Sequence, residues 1–113
     1  MAIKTFTVAS YEVTLSRQMT IGGGAAKFHA NILCRSSDGY RFAIYFLRPD
    51  SNEIANVYNP TAKWATSYLP ADHLVWYLDL LRNEKPVYAY LNSETPIGNR
   101  LYTGAEPVGE GED

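Results

Sequence analysis

Six residues between positions 27 and 45 carry side chains suited to holding phosphate and stacking on bases: Lys27, His29, Asn31, Arg35, Arg41 and Tyr45. Cations neutralise a phosphate backbone, and flat rings accept the faces of bases. Their spacing matters as much as their type. They alternate with Phe28, Ala30, Ile32 and Cys34, and then with Phe42, Ile44 and Phe46. Strict period-two alternation marks a strand with one buried face. Residues 27–48 therefore read as two long antiparallel strands, apolar on one side and basic, polar and aromatic on the other.

The turn between the strands sets which residues meet. A three-residue loop, Ser37-Asp38-Gly39 with Gly39 left-handed, is a type I turn with a G1 bulge. It pairs Ser36 with Tyr40, Cys34 with Phe42 and Ile32 with Ile44, all even positions on the core side. A two-residue Asp38-Gly39 turn would bring Phe28 and Ile32 to the side of Arg41, and the apolar pattern rejects it. On the outer face the favoured register sets Asn31 opposite Tyr45 and Arg35 opposite Arg41. Like charges directly across a ladder repel, so this pair calls for a counter-anion, either an acidic side chain or a phosphate. Leu33, Ala43 and Leu47 share the face and would equally suit a covering protein.

Other elements must position this hairpin. Residues 3–15 read as one long strand whose buried parity changes from Phe6 and Val8 to Tyr11, Val13 and Leu15, which requires a bend near Ala9-Ser10. Residues 17–26 read as a connection containing Gly22-Gly23-Gly24. Within the irregular section 49–69, residues 54–58 and 63–68 read as short strands around an Asn59-Pro60 turn. Residues 70–83 read as a helix, with Pro70 at its first position and Leu74, Tyr77, Leu78 and Leu81 on one face. Residues 87–91 and 100–103 are further strands, separated by a turn over 95–99. The fold expected is mostly β (α+β), an antiparallel sheet or OB-like small barrel of five to seven strands with one helix at about 70–83. Residues 1–104 form one domain on this reading. The tail 105–113, rich in Pro, Gly and acids, is expected to be disordered.

Bulk properties exclude several classes. The chain has 113 residues and a formal net charge of −2, too acidic overall for a typical duplex-DNA binder. Charge is uneven: residues 1–48 are net basic, and Glu106, Glu110, Glu112 and Asp113 crowd the end. The single cysteine, Cys34, falls on the apolar side of its strand, so the expectation is a small buried hydrophobe. With no signal-peptide pattern and no apolar run of membrane-spanning length, a cytoplasmic location is expected. Gly22-Gly23-Gly24 lacks the Gly-Lys-Ser/Thr ending of a phosphate loop and leads into a strand. His29 and His73 have no metal-ligand spacing with Cys34 or a carboxylate. No catalytic signature or cofactor motif is present, which favours binding over catalysis.

Residues 26–48, with the strand after the helix from Lys85 to Leu91 and the acidic tail, resemble the single-stranded-DNA-binding protein family. The hairpin is similar to that family's second and third strands. The family's Gly/Gln-rich linker and the apolar tip of its tail have no counterpart here. The resemblance implies an OB fold and contacts to single-stranded nucleic acid by Lys27, Arg35, Arg41 and Tyr45. The reading from the residues adds His29 and Asn31 to that set. A second expectation comes from the helix, which carries Trp76, Leu80 and Val75 besides its main face. A helix this apolar has material on more than one side. Either an irregular loop over 59–69 covers the helix within the monomer, or Trp76, Tyr77 and Leu80 are interface residues, for a homo-oligomer or protein partner that also uses strand edges.

Overall fold

Alternating and helical periods in the chain resolve into eight strands and one α-helix in the computed structural model, which describes residues 2–21, 24 and 26–105. The strands are β1 (Ile3–Thr7), β2 (Ser10–Ile21), β3 (Ala26–Arg35), β4 (Arg41–Leu47), β5 (Val57–Asn59), β6 (Trp64–Pro70), β7 (Val87–Asn92) and β8 (Arg100–Thr103). The helix α1 (Leu74–Asn83) continues from a 3₁₀ turn at Ala71–His73. The chain is thus mostly β with one helix, as expected. Three details differ from the expectation. There are eight strands among the described residues, not five to seven. They form two sheets, with orders β1-β7-β8 and β2-β3-β4-β6-β5, and no closed barrel. One pairing, β4 with β6, is parallel.

The central hairpin keeps the register its pattern requires. Ile32 pairs with Ile44, Cys34 with Phe42, Asn31 with Tyr45 and Arg35 with Arg41. Gly39 takes φ +94°, which an L side chain rarely adopts. Ser36 closes the turn: its N–H donates to the Tyr40 carbonyl at 2.9 Å, and its Oγ accepts the Tyr40 N–H at 2.8 Å.

The parity change in the first segment is a change of sheet. The break falls at Val8 and Ala9, whose N–H groups donate to Val87 O and Arg35 O at 2.9 and 2.8 Å. β1 thereby joins the small sheet and β2 the large one. Residues 17–21, expected in a connection, instead extend β2. This end of the strand lies on a sheet edge, so nothing buried selects its residue pattern. Gly22 and Gly23, and the expected disorder over 106–113, lie outside the described residues.

The core lies between the inner face of the large sheet and a roof formed by the small sheet and α1. Ile32, Cys34, Phe42, Ile44 and Phe46 are fully buried, and Phe6, Ala89, Leu91 and Leu81 meet them from above. Each large apolar side chain buried this way contributes about 1.5–3 kcal/mol. Burial also pushes the Cys34 thiol up to about 12, so it is a packing residue and carries no thiolate near neutrality. At one end three asparagines tie the sheets together. Asn56 Nδ2 donates to Ser67 Oγ and to Pro96 O, while its Oδ1 accepts the Tyr68 N–H. Asn99 Oδ1 accepts the Asn92 N–H at 2.9 Å and its Nδ2 donates to Val57 O at 3.3 Å. Asn92 Oδ1 in turn accepts the N–H groups of Glu94 and Thr95.

Candidate nucleic-acid interface

Residues opposite one another in a ladder share a face, so the registers give the outer face of the large sheet row by row. One row crosses all five strands as Ser10, Arg35, Arg41, Trp64 and Asn59. The next is Glu12, Leu33, Ala43, Thr66 and Val57. A third is Thr14, Asn31, Tyr45 and Tyr68. Asn31, Arg35, Arg41 and Tyr45 are therefore on one face, as the alternation requires. Trp64 and Tyr68 join them from β6.

Two of the six candidates stand elsewhere. Phe28 pairs with Leu47 and Ala30 with Phe46, so His29 is the extra residue of a β-bulge. The bulge reverses parity: Phe28 joins the outer face, where its ring lies 4.8 Å from that of Tyr45, edge to face. Lys27 is carried to the opposite side. There its Nζ is 3.6 Å from Asp50 Oδ2, and Arg48 Nε donates to Asp50 Oδ1 at 3.0 Å. The Arg48 hydrogen bond, with Lys27 nearby, holds the Asp50 carboxyl below its ordinary value. Lys27 is thus withdrawn from the outer face by a bulge that alternation alone does not disclose.

The counter-anion for the arginine pair is present within the chain. Arg35 Nη1 donates to Glu12 Oε1, from the neighbouring strand. Among the described residues Arg41 has no carboxylate partner, and it is exposed beside Trp64. Tyr45 stacks on Tyr68, with centroids 5.3 Å apart and planes 14° from parallel. Burial, with a smaller contribution from Tyr68, raises the Tyr45 hydroxyl above its ordinary pKa. One ring face of Tyr45 is therefore already occupied, and Trp64 is the better stacking surface. Thr66 is 5% exposed in the middle of this face, and its Oγ1 has no hydrogen-bond partner.

Sequence reasoning missed Trp64 and Tyr68 as face residues. Their alternation around Thr66 marks a strand, but nothing local says that this strand lies parallel to β4. It also missed a second aromatic surface on the small sheet, where Tyr88 and Tyr102 lie 5.3 Å apart and Arg100 sits 4.2 Å from the Tyr90 ring centroid.

The helix candidates divide. Tyr77 turns inward, its ring 5.7 Å from that of Phe46, and Leu80 packs against the core. Neither is a free anchor. Trp76 and Val75 are each 63% exposed. Among the described residues no group of three His, Cys, Asp or Glu side chains is placed to hold a metal ion, and no helix is long and apolar enough to cross a membrane. No family model, curated protein or solved structure matches the chain.

Proposed function

We propose that the chain is a non-enzymatic binding module that holds single-stranded nucleic acid on the outer face of the large sheet. The observation that carries this reading is the row Arg35, Arg41, Trp64: a guanidinium unpaired among the described residues, with a neutralised one on its left and an indole on its right. Arg41 would neutralise a phosphate, and a base would stack on Trp64. Asn31 and the hydroxyls of Tyr45 and Tyr68 would offer polar contacts two rows along the face. Arg35 contributes less, because Glu12 must first release it. With so few phosphates neutralised, the dependence on salt is shallow, a slope of about −0.7 per phosphate contact.

The test is fluorescence anisotropy of a labelled oligonucleotide titrated with the protein at two salt concentrations. Binding should weaken as salt rises. Trp64→Ala should lower affinity by about 1–3 kcal/mol, the usual value of one stacked base. Arg41→Ala should reduce the salt slope by roughly one phosphate contact. No change in anisotropy at high protein concentration, or binding indifferent to both substitutions, rejects the reading.

A second reading, assembly with a protein partner through α1, is favoured by Trp76 and Val75 alone. Exposed tryptophan is a frequent interface anchor.

A further inference from the structure

The two edges of the large sheet are treated differently. At one end β5 is only three residues long and runs into the Pro60 turn. At the other end β2 runs for twelve residues with β3 on one side and, among the described residues, no strand on the other. A free edge presents unpaired N–H and C=O groups, and proteins ordinarily blunt it with lysine, proline or brevity. β2 contains neither lysine nor proline. Its one irregularity falls between Leu15 and Met19, leaving Ser10 to Leu15 in regular pairing with β3. Along that regular stretch the inward side is apolar, Tyr11, Val13 and Leu15, facing the same way as Cys34, Ile32 and Ala30. The core reaches Tyr11, which is half-buried, but leaves its neighbours open: Val13 is 36% and Leu15 67% exposed.

We propose that this edge pairs with the β2 edge of a second copy of the chain, antiparallel, about a two-fold axis through Val13. The segment is complementary to itself in that register. Val13 meets Val13, and Tyr11 of each copy meets Leu15 of the other, so every apolar side chain left open on the inner side finds an apolar partner. Glu12, which already holds Arg35, comes opposite Thr14, and Ser10 opposite Ser16, so no like charges face each other. A strand from another protein would need this pattern supplied independently; a second copy carries it by construction. The interface is isologous and closes at two copies. An axis perpendicular to the sheet keeps like faces together, so the two outer faces become one continuous surface. The pairing does not depend on nucleic acid.

Sedimentation equilibrium of the full chain tests it. The expected result is a concentration-dependent species of twice the chain mass and nothing larger. Val13→Lys and Leu15→Lys should each give monomer at concentrations where the parent is dimeric, with an unchanged circular dichroism spectrum because both side chains are exposed. Trp76→Ala should leave the dimer intact. The proposal is overturned by a chain that stays monomeric at every concentration, by a ladder of larger species, or by a dimer that survives both lysine substitutions. A dimer lost through Trp76→Ala would assign the interface to α1 and overturn it equally.

Discussion

The two faces of the large sheet are built from alternate residues of the same strands, yet they meet different surroundings. Ile32, Ile44 and Phe46 point under a roof and lose all contact with water. Their neighbours Asn31, Tyr45 and Leu47 point the other way and stay half-buried. Stability is concentrated on the first face, and chemistry is left to the second. The inner face is apolar except where a polar group finds a partner: Ser67, level with Ile44, accepts a hydrogen bond from Asn56. The outer face holds a guanidinium pair, an indole and stacked phenols because water or a ligand can satisfy them.

Substitutions should separate the faces. Phe42→Ala, on the inner side, should cost about 3–5 kcal/mol in denaturant unfolding, since it opens a cavity the surrounding strands cannot close. The adjacent outward residue gives the contrast: Arg41→Ala should change stability by no more than about 0.5 kcal/mol. Equal losses at the two positions would mean that the outer face is covered as well. Asn99→Ala should cost less than Phe42→Ala, about 1–3 kcal/mol, because it leaves the Asn92 N–H and the Val57 carbonyl without that partner. That measurement shows whether the two sheets are tied by polar bonds in addition to the shared core.

The faces should differ least in alkaline solution. Burial raises the hydroxyl pKa of both Tyr45, outside, and Tyr77, inside. The unfolded chain releases these protons first, near pH 10. The stabilisation is therefore whole below that pH and is lost as pH rises through the higher folded values. Thermal melts between neutrality and strong alkali should show this fall. Tyr45→Phe and Tyr77→Phe should each flatten it, and a fall that neither substitution alters would assign it to other groups.

How much of this was legible beforehand follows from where burial is strict. The hairpin register was readable because one face is dry, which rejects the two-residue turn, and because Gly39 takes the left-handed conformation that the three-residue turn needs. The inward positions of α1 were readable for the same reason, though period alone could not say that Tyr77 faces Phe46 while Trp76 faces water. The bulge at His29 was not readable, because one extra residue leaves no compositional trace, and it moved Lys27 across the sheet. Nor was the extension of β2, whose exposed residues obey no core. The place of β6 was hidden for a further reason. A parallel neighbour is set by the path of the intervening chain, here the irregular section 48–56, a short strand and a turn, and by packing that no local pattern records.

That parallel strand has a consequence for the smallest unit that could carry the candidate site. A peptide spanning the hairpin would contain Arg35 and Arg41 but no indole beside them. Trp64 arrives only when β6 docks along the whole of β4, held there by Asn56 and, through Val57, by Asn99. The row across the sheet is therefore not divisible into fragments. It comes into being when the domain assembles and disappears when the domain melts.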